Sequence, residues 1–581
     1  MRSSKPVHRH AAIHNPILPG FNADPSIVRV GSWYYIATST FEWFPGVALY
    51  RSPDLVRWEL WRNVLTRTSQ LDLRGVGASC GVWAPHLSYH ERRGQWFLAY
   101  TIVTGLSSSF FDLKNFVVTA SDPAGPWSEP SLLNASGFDP ALFHDDDGRG
   151  WLVNLAWEFR DGYRHPGSIV LQQFDYDACS LVGEVVTIYS GDPKFGCVEG
   201  PQLYKRDGYY YLVTAEGGTG YGHAVLVSRA QHIGGPYQSA PGNPLLTSRA
   251  QPHPSEDDPS PDFLKPRFFN PALDLQKAGH GSLVETPAGE TYLAHLCARP
   301  LRPQLRCTLN RETALQQVIW RDRWPHLAHG SPSPQVTVPA PAAPGAQSAT
   351  PNTGPDRRWD VSGAGREEFT ATQLSPHFYS LRAPIESDWC SLERHRGYLS
   401  LRGRNSIYSV TDTSLVARRV QHVAFRAATR MVWAPGDYRW MAGLVVMNSP
   451  TTWYYLRCYF SDSLQSAAVA IMTSLRGDKT ELTGSRVALP QLRADQRAYE
   501  IDLALELSYD TLQFRWALSR QDEQTIGPQL DATVLSDEYN NDGQGAFSGT
   551  FVGVCAQDLD RHRRWVQFDW FDYLPSRKID S

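Results

Sequence analysis

Long apolar runs are missing from this 581-residue chain. No window offers the roughly 20 consecutive apolar residues that a membrane-spanning helix needs. The opening stretch, Met1 to Pro19, is polar and carries histidines where a secretory leader would carry an apolar segment, so the expectation is neither signal peptide nor membrane anchor. An excess of one charge is missing too. At a net −4 the chain has no electrostatic footprint for nucleic acid or an anionic membrane. Cysteine is scarce: Cys80, Cys179, Cys197, Cys297, Cys307, Cys390, Cys458 and Cys555 are scattered, with no CxxC pair or other metal-ligand spacing. Reduced, mostly buried thiols in a cytoplasmic protein are expected. Cys197 stands two residues before a glutamate, but as a small apolar filler rather than a nucleophile.

What is present is a repeat. Glu199, Gly200, Pro201, Gln202, Leu203 and Tyr204 lead to Gly208 and then to Tyr209, Tyr210, Tyr211, Leu212 and Val213. This reads as two short strands joined by a tight turn, with an acid at the mouth of the hairpin. Similar units begin at Asp139, His280, Pro85 and Asp24, and their turns hold Gly148, Gly289, Gly94 and Gly31. Nine residues separate leading residue from turn glycine in four copies and seven in the copy at Asp24. On that spacing the five leading residues are taken as equivalent.

All-strand units repeating at this period predict radial blades, so the fold class is all-β, a five-bladed β-propeller over residues 12–329 whose first strands line a central channel. Residues 330–356, rich in proline, alanine, serine and glycine, read as a linker. Residues 357–577 resume as short strands between glycine and aspartate turns, without helical periodicity, and predict a β-sandwich. A chain of this length exceeds one core, which fits two domains.

A lone Asp or Glu before Pro or Gly is ordinarily a turn residue. Three at matched places on repeated units point to chemistry at one end of the channel. Asp24 on the first blade and Glu199 on the fourth are expected across the channel from each other, with room for a water and a sugar. That is the wider separation, about 6.5–9.5 Å, of inverting glycosidases. Asp139, on the neighbouring blade, would raise the pKa of Glu199 and keep it protonated as general acid, leaving Asp24 as general base. Aromatic residues, 12% of the chain with 19 Trp, suit hairpins and sugar stacking alike. The acidic run Glu256, Asp257, Asp258 reads as a solvated loop face.

Phe21 to Ser26, Ile36 to Val47, Trp83-Ala84-Pro85, Gly137-Phe138-Asp139, Glu199-Gly200-Pro201, Thr214 to Thr219, Gly279-His280 and Arg311-Glu312-Thr313 together make the chain resemble the β-xylosidases of glycoside hydrolase family 43. The likeness continues from Phe378 to Arg404 and from Phe551 to Asp558. It departs at Ala23, where proline is common, and at Pro140, where a small residue is usual. The resemblance implies a propeller followed by a concanavalin-like jelly roll. It implies an inverting exo-hydrolase releasing D-xylose from the non-reducing end of β-1,4-xylo-oligosaccharides, with α-L-arabinofuranosidase side activity.

It assigns Asp24 as general base, Asp139 as pKa modulator and Glu199 as general acid. Phe41, Trp83 and Trp157 become pocket aromatics, Arg311 a donor to sugar hydroxyls, His280 a channel residue and Phe551 the residue closing the pocket from the second domain. No cofactor is required; a divalent cation such as Ca2+ beside His280 is an open alternative, although no second ligand has metal spacing. The implied partners are a small oligosaccharide and, as in relatives, further copies in a dimer or tetramer, with no nucleic acid and no membrane. Two other readings stand beside this one, a dedicated α-L-arabinofuranosidase and a non-catalytic sugar-binding propeller.

Overall fold

The computed structural model describes residues 12–576 apart from 107–108, 164, 251–267, 343–359, 520 and 541–546. The acidic run at 256–258 and the later part of the Pro/Ala-rich stretch lie outside the described residues. Each repeat is the inner hairpin of an antiparallel blade. Blade one comprises Ser26–Val30, Trp33–Thr38, Gly46–Ser52 and Glu59–Leu65. Blades two to five begin with Gly81–His90, Ala141–His144, Glu199–Arg206 and Gln276–Glu285. Inner strands of successive blades pack side by side, and those of blades five and one close the ring. The turn glycines Gly31, Gly94, Gly148, Gly208 and Gly289 all have positive φ, between 60° and 91°. Nothing lies within 4 Å of a Cβ placed on Gly31, Gly208 or Gly289, so it is backbone conformation that calls for glycine there.

The ladders correct the equivalence taken from spacing. Every inner strand is bulged at its channel end, by one extra residue in blades one to four and by two in blade five. In blade four Glu199 pairs with Ala215 but Gln202 with Val213, and in blade two Trp83 pairs with Thr101 but His86 with Ala99. In each bulge one residue takes a left-handed φ: Asp24 54°, Ala84 36°, Asp139 57°, Gly200 56° and His280 47°. In the first four a proline follows. The equivalent set is therefore Asp24, Ala84, Asp139, Gly200 and His280. Pro85 stands one residue after its blade's bulge position and Glu199 one residue before, in register with Trp83 and Phe138. Distance to the turn glycine also measures loop length, and loops differ; blade two inserts a 3-10 turn at Glu91–Arg93.

The segment before blade one closes the propeller on blade five. Leu18 and Thr313 exchange backbone hydrogen bonds at 3.1 Å, and Asn15 Nδ2 donates to Leu315 O at 2.7 Å. Within the predicted linker, Thr337–Pro339 is a strand paired with Ala12–His14, because Val338 and Ile13 both bury their side chains.

The second domain is two sheets of eight and nine strands around one core that includes Trp389, Trp433, Trp440, Phe514 and Phe568. The last strand of the nine-stranded sheet comes from the propeller: Trp43–Phe44 pairs with Tyr379–Leu381. A separate apolar cluster fills this junction, with Phe21 and Trp43 from the propeller and Tyr379, Leu381 and Phe551 from the sandwich. Trp43 stacks on Phe551 with ring centroids 3.7 Å apart. Trp43→Ala empties this stack and is expected to cost about 3–5 kcal/mol, seen as a lower urea midpoint; an unchanged midpoint would contradict the junction's role.

Candidate active site

The bulges carry the polar groups of one pocket at the channel mouth, lined by Asp24, Asp139, Glu199, His280 and Arg311. Two residues of a bulged strand oppose one on its partner, so neighbouring side chains share a face. That is how Phe138 and Asp139 both reach the same cavity.

Hydrogen bonds run from bulge to bulge. The Ala84 N–H donates to Ser39 Oγ at 2.8 Å, and Ser39 Oγ–H donates to Asp24 Oδ2 at 2.7 Å. The Gly200 N–H, next to Glu199, donates to Asp139 Oδ2 at 2.8 Å. His280 Nδ1 lies 3.8 Å from Asp24 Oδ1.

Burial pushes Glu199 up to about 7; the charge of Asp24 adds to the rise and Arg311 opposes it. Asp139 also rises to about 7, chiefly by burial, with His280 and the Gly200 N–H holding it down and Glu199 and Asp24 pushing it up. Desolvation is the first cause of both shifts, ahead of the like charges. Glu199 and Asp139 each raise the other because their repulsion is mutual, and Asp24 across the pocket adds to both.

Phe41 and Trp83 line the pocket as expected from sequence. Trp157 does not: it stacks on Phe111 at 4.0 Å, donates its indole N–H to Ser109 O at 2.8 Å, and stands behind Phe138 with centroids 5.9 Å apart. Phe551 does not either. It opens the strand Phe551–Asp558 and is wholly buried in the domain junction. The sandwich residue that reaches the pocket is Phe547, whose ring lies 4.7 Å from the Arg311 guanidinium and whose N–H donates to Ser79 Oγ at 3.0 Å.

Phe138, Thr219 and His223 also line the pocket, and sequence reasoning does not single them out. Thr219 closes the run Thr214 to Thr219, one of the stretches that carry the family resemblance, which is the signal that was available. His223 sits against Gly279, where any Cβ would come 2.2 Å from its ring, and burial lowers its pKa to about 3. Among the described residues no group of three or more His, Cys, Asp or Glu is placed to hold a metal.

Two measurements follow from this geometry. Phe547→Ala should raise KM about tenfold at little cost in stability, whereas Phe551→Ala should cost about 3–5 kcal/mol of stability; the reverse pattern would restore the sequence-based assignment. The folded chain also holds a proton on Glu199 between 4.5 and about 7 that the unfolded chain releases, so stability falls as pH rises through that window. Glu199→Gln escapes this penalty and should be more stable than the parent by about 1–2 kcal/mol at pH 8 with no gain at pH 4. Equal gains at both pH values would contradict a buried, proton-holding Glu199.

With the site described, comparison with known proteins is informative. Residues 13–325 match the model of glycosyl hydrolases family 43, and residues 366–574 match the β-xylosidase C-terminal concanavalin A-like domain. A xylosidase/arabinosidase 43B of Humicola insolens is 42% identical over 97% of this chain and 98% of its own length. A xylan 1,3-β-xylosidase of a Vibrio species is 40% identical over 97% and 99%. The crystal structure of a xylan β-1,4-xylosidase from Bacillus halodurans superposes with a TM-score of 0.87 at 42% identity, over 97% of this chain and all of that one. By sequence over both domains and by fold, the chain belongs to family 43 of the glycosyl hydrolases.

Proposed function

We propose that this hydrolase is an exo-acting β-xylosidase that releases D-xylose from the non-reducing end of short β-1,4-xylo-oligosaccharides with inversion, and that it also accepts α-L-arabinofuranosides. The observation that carries the reading is the convergence of Asp24, Asp139 and Glu199 on one pocket whose wall is completed by Phe547 of the sandwich. A channel mouth covered by a second domain suits a chain end rather than the middle of a polymer. The relatives' names supply the pentose.

In the proposed reaction Glu199, protonated because it is buried, gives its proton to the leaving oxygen as the glycosidic C–O bond breaks. Asp24 takes a proton from water as the water oxygen attacks the anomeric carbon from the opposite face. Asp139 accepts the Gly200 N–H, which fixes the backbone that carries Glu199. Arg311 offers a fork of donors to sugar hydroxyls beside the acid. No step is routed through a metal. Among the described residues no disulfide joins the cysteines, which supports a reducing, cytoplasmic setting.

Inversion is tested by NMR of fresh digests of xylobiose: the first xylose released should be the α anomer, and β-xylose would refute the mechanism. Glu199→Ala should lose about 10³-fold or more on xylobiose but far less on substrates with activated leaving groups; equal losses would remove Glu199 from the acid role. Rates on 4-nitrophenyl β-D-xylopyranoside and α-L-arabinofuranoside rank the two pentoses, and xylobiose and both nitrophenyl pentosides left intact at high enzyme concentration would leave only the binding reading. The fall of kcat/KM on the alkaline side should centre near pH 7, where Glu199 loses its proton.

A further inference from the structure

The sandwich reaches the propeller with more than Phe547. A single helical turn, Asp537–Asn540, lies against the entrance of the blade-five strand that begins at Glu312. Asn310, in a left-handed conformation at φ 60°, donates from Nδ2 to Asp537 Oδ1 at 2.9 Å. Its Oδ1 in turn accepts the Thr550 N–H at 3.1 Å. The next residue is Arg311. Its Nε lies 3.9 Å from Asp537 Oδ2, while its guanidinium is covered by Phe547. One segment of the second domain therefore holds the pocket arginine from two sides.

Every member of this contact is withdrawn from water. Asp537 is 2% exposed and Arg311 7%. The groups facing Asp537 are Arg311, Lys277 and Cys307 of the propeller and its own neighbour Glu538; burial pushes its carboxyl up to about 7 against the pull of Arg311 and Lys277, so its charge is fully present only on the alkaline side. Glu538 is engaged elsewhere, since it pairs with the buried Lys277 Nζ at 2.5 Å and accepts the Cys307 N–H at 2.9 Å. Lys277 is thus answered by Glu538, which leaves Asp537 as the carboxylate turned to Arg311. Arg311 in turn is the cation that opposes the rise of the Glu199 pKa.

We propose that Asp537 is a positioning residue for the reaction: the sandwich supplies the counter-ion that aims Arg311 and limits how strongly its charge acts on Glu199. Two carboxyl groups share one arginine, one on each domain. A weaker hold by Asp537 leaves more of the arginine's field on Glu199 and makes the acid easier to ionise. The domain junction is then part of the acid's tuning as well as a cover for the pocket. This inference rests on the reading of Glu199 as general acid.

Asp537→Asn keeps the size and the acceptor for Asn310 and removes only the charge. On whichever substrate with an unactivated leaving group the parent enzyme hydrolyses, xylobiose or an arabinofuranosyl oligosaccharide, kcat/KM should fall about tenfold, mostly through KM. The alkaline limb of the pH profile should move to lower pH by about half a unit, because an unanswered Arg311 stabilises ionised Glu199. Glu538→Gln, which breaks the adjacent Lys277 pair without facing Arg311, should lower the urea midpoint and leave the limb in place. An unmoved limb in Asp537→Asn, or an equal displacement in both variants, overturns the inference. A parent enzyme inactive on every pentoside overturns the functional reading instead.

Discussion

Desolvation of the carboxyl groups is the constraint on which the rest of the site depends. Asp24, Asp139 and Glu199 come from three different blades and face a pocket from which most water is excluded. Negative charge cannot be held there at full strength. The structure offsets it with Arg311, His280, the Ser39 hydroxyl and the Gly200 N–H. The remainder is met by protons kept on Glu199 and Asp139 up to about pH 7. An acid that donates near neutrality is the chemical return for a stability penalty of the kind expected at active sites.

The backbone device that gathers these groups is a bulge repeated five times. A left-handed residue at the channel end of each inner strand turns its neighbours' polar groups sideways, so that one blade's N–H meets the next blade's carboxylate. Asp24, Asp139 and His280 are themselves the left-handed residues. In blade four that place belongs to Gly200, and the acid stands one position earlier. Propeller repetition thus builds the frame, and a one-residue offset separates Glu199 from the other two carboxyl groups.

Neither domain is self-sufficient at this site. The propeller lends Trp43–Phe44 to a sandwich sheet, and the sandwich returns Phe547 and Asp537 to the pocket wall and its arginine. Residues separated by several hundred positions in the chain are in direct contact here.

The sequence by itself determined the five hairpins, the two-domain plan and the three carboxyl groups. Alternation, turn glycines and repeat spacing are local properties, and a strand needs no knowledge of its distant neighbours to display them. The alternation of the sandwich strands and the glycine and aspartate turns between them were legible for the same reason. What only the tertiary structure decided was side-chain address. Trp157 and Phe551 have the composition of pocket residues, yet one stands behind Phe138 and the other fills the junction core. Phe547, His223 and Asp537 carried no local mark of their place. Their roles follow from which surfaces meet once the ring closes and the sandwich docks, and from how little water is left between them.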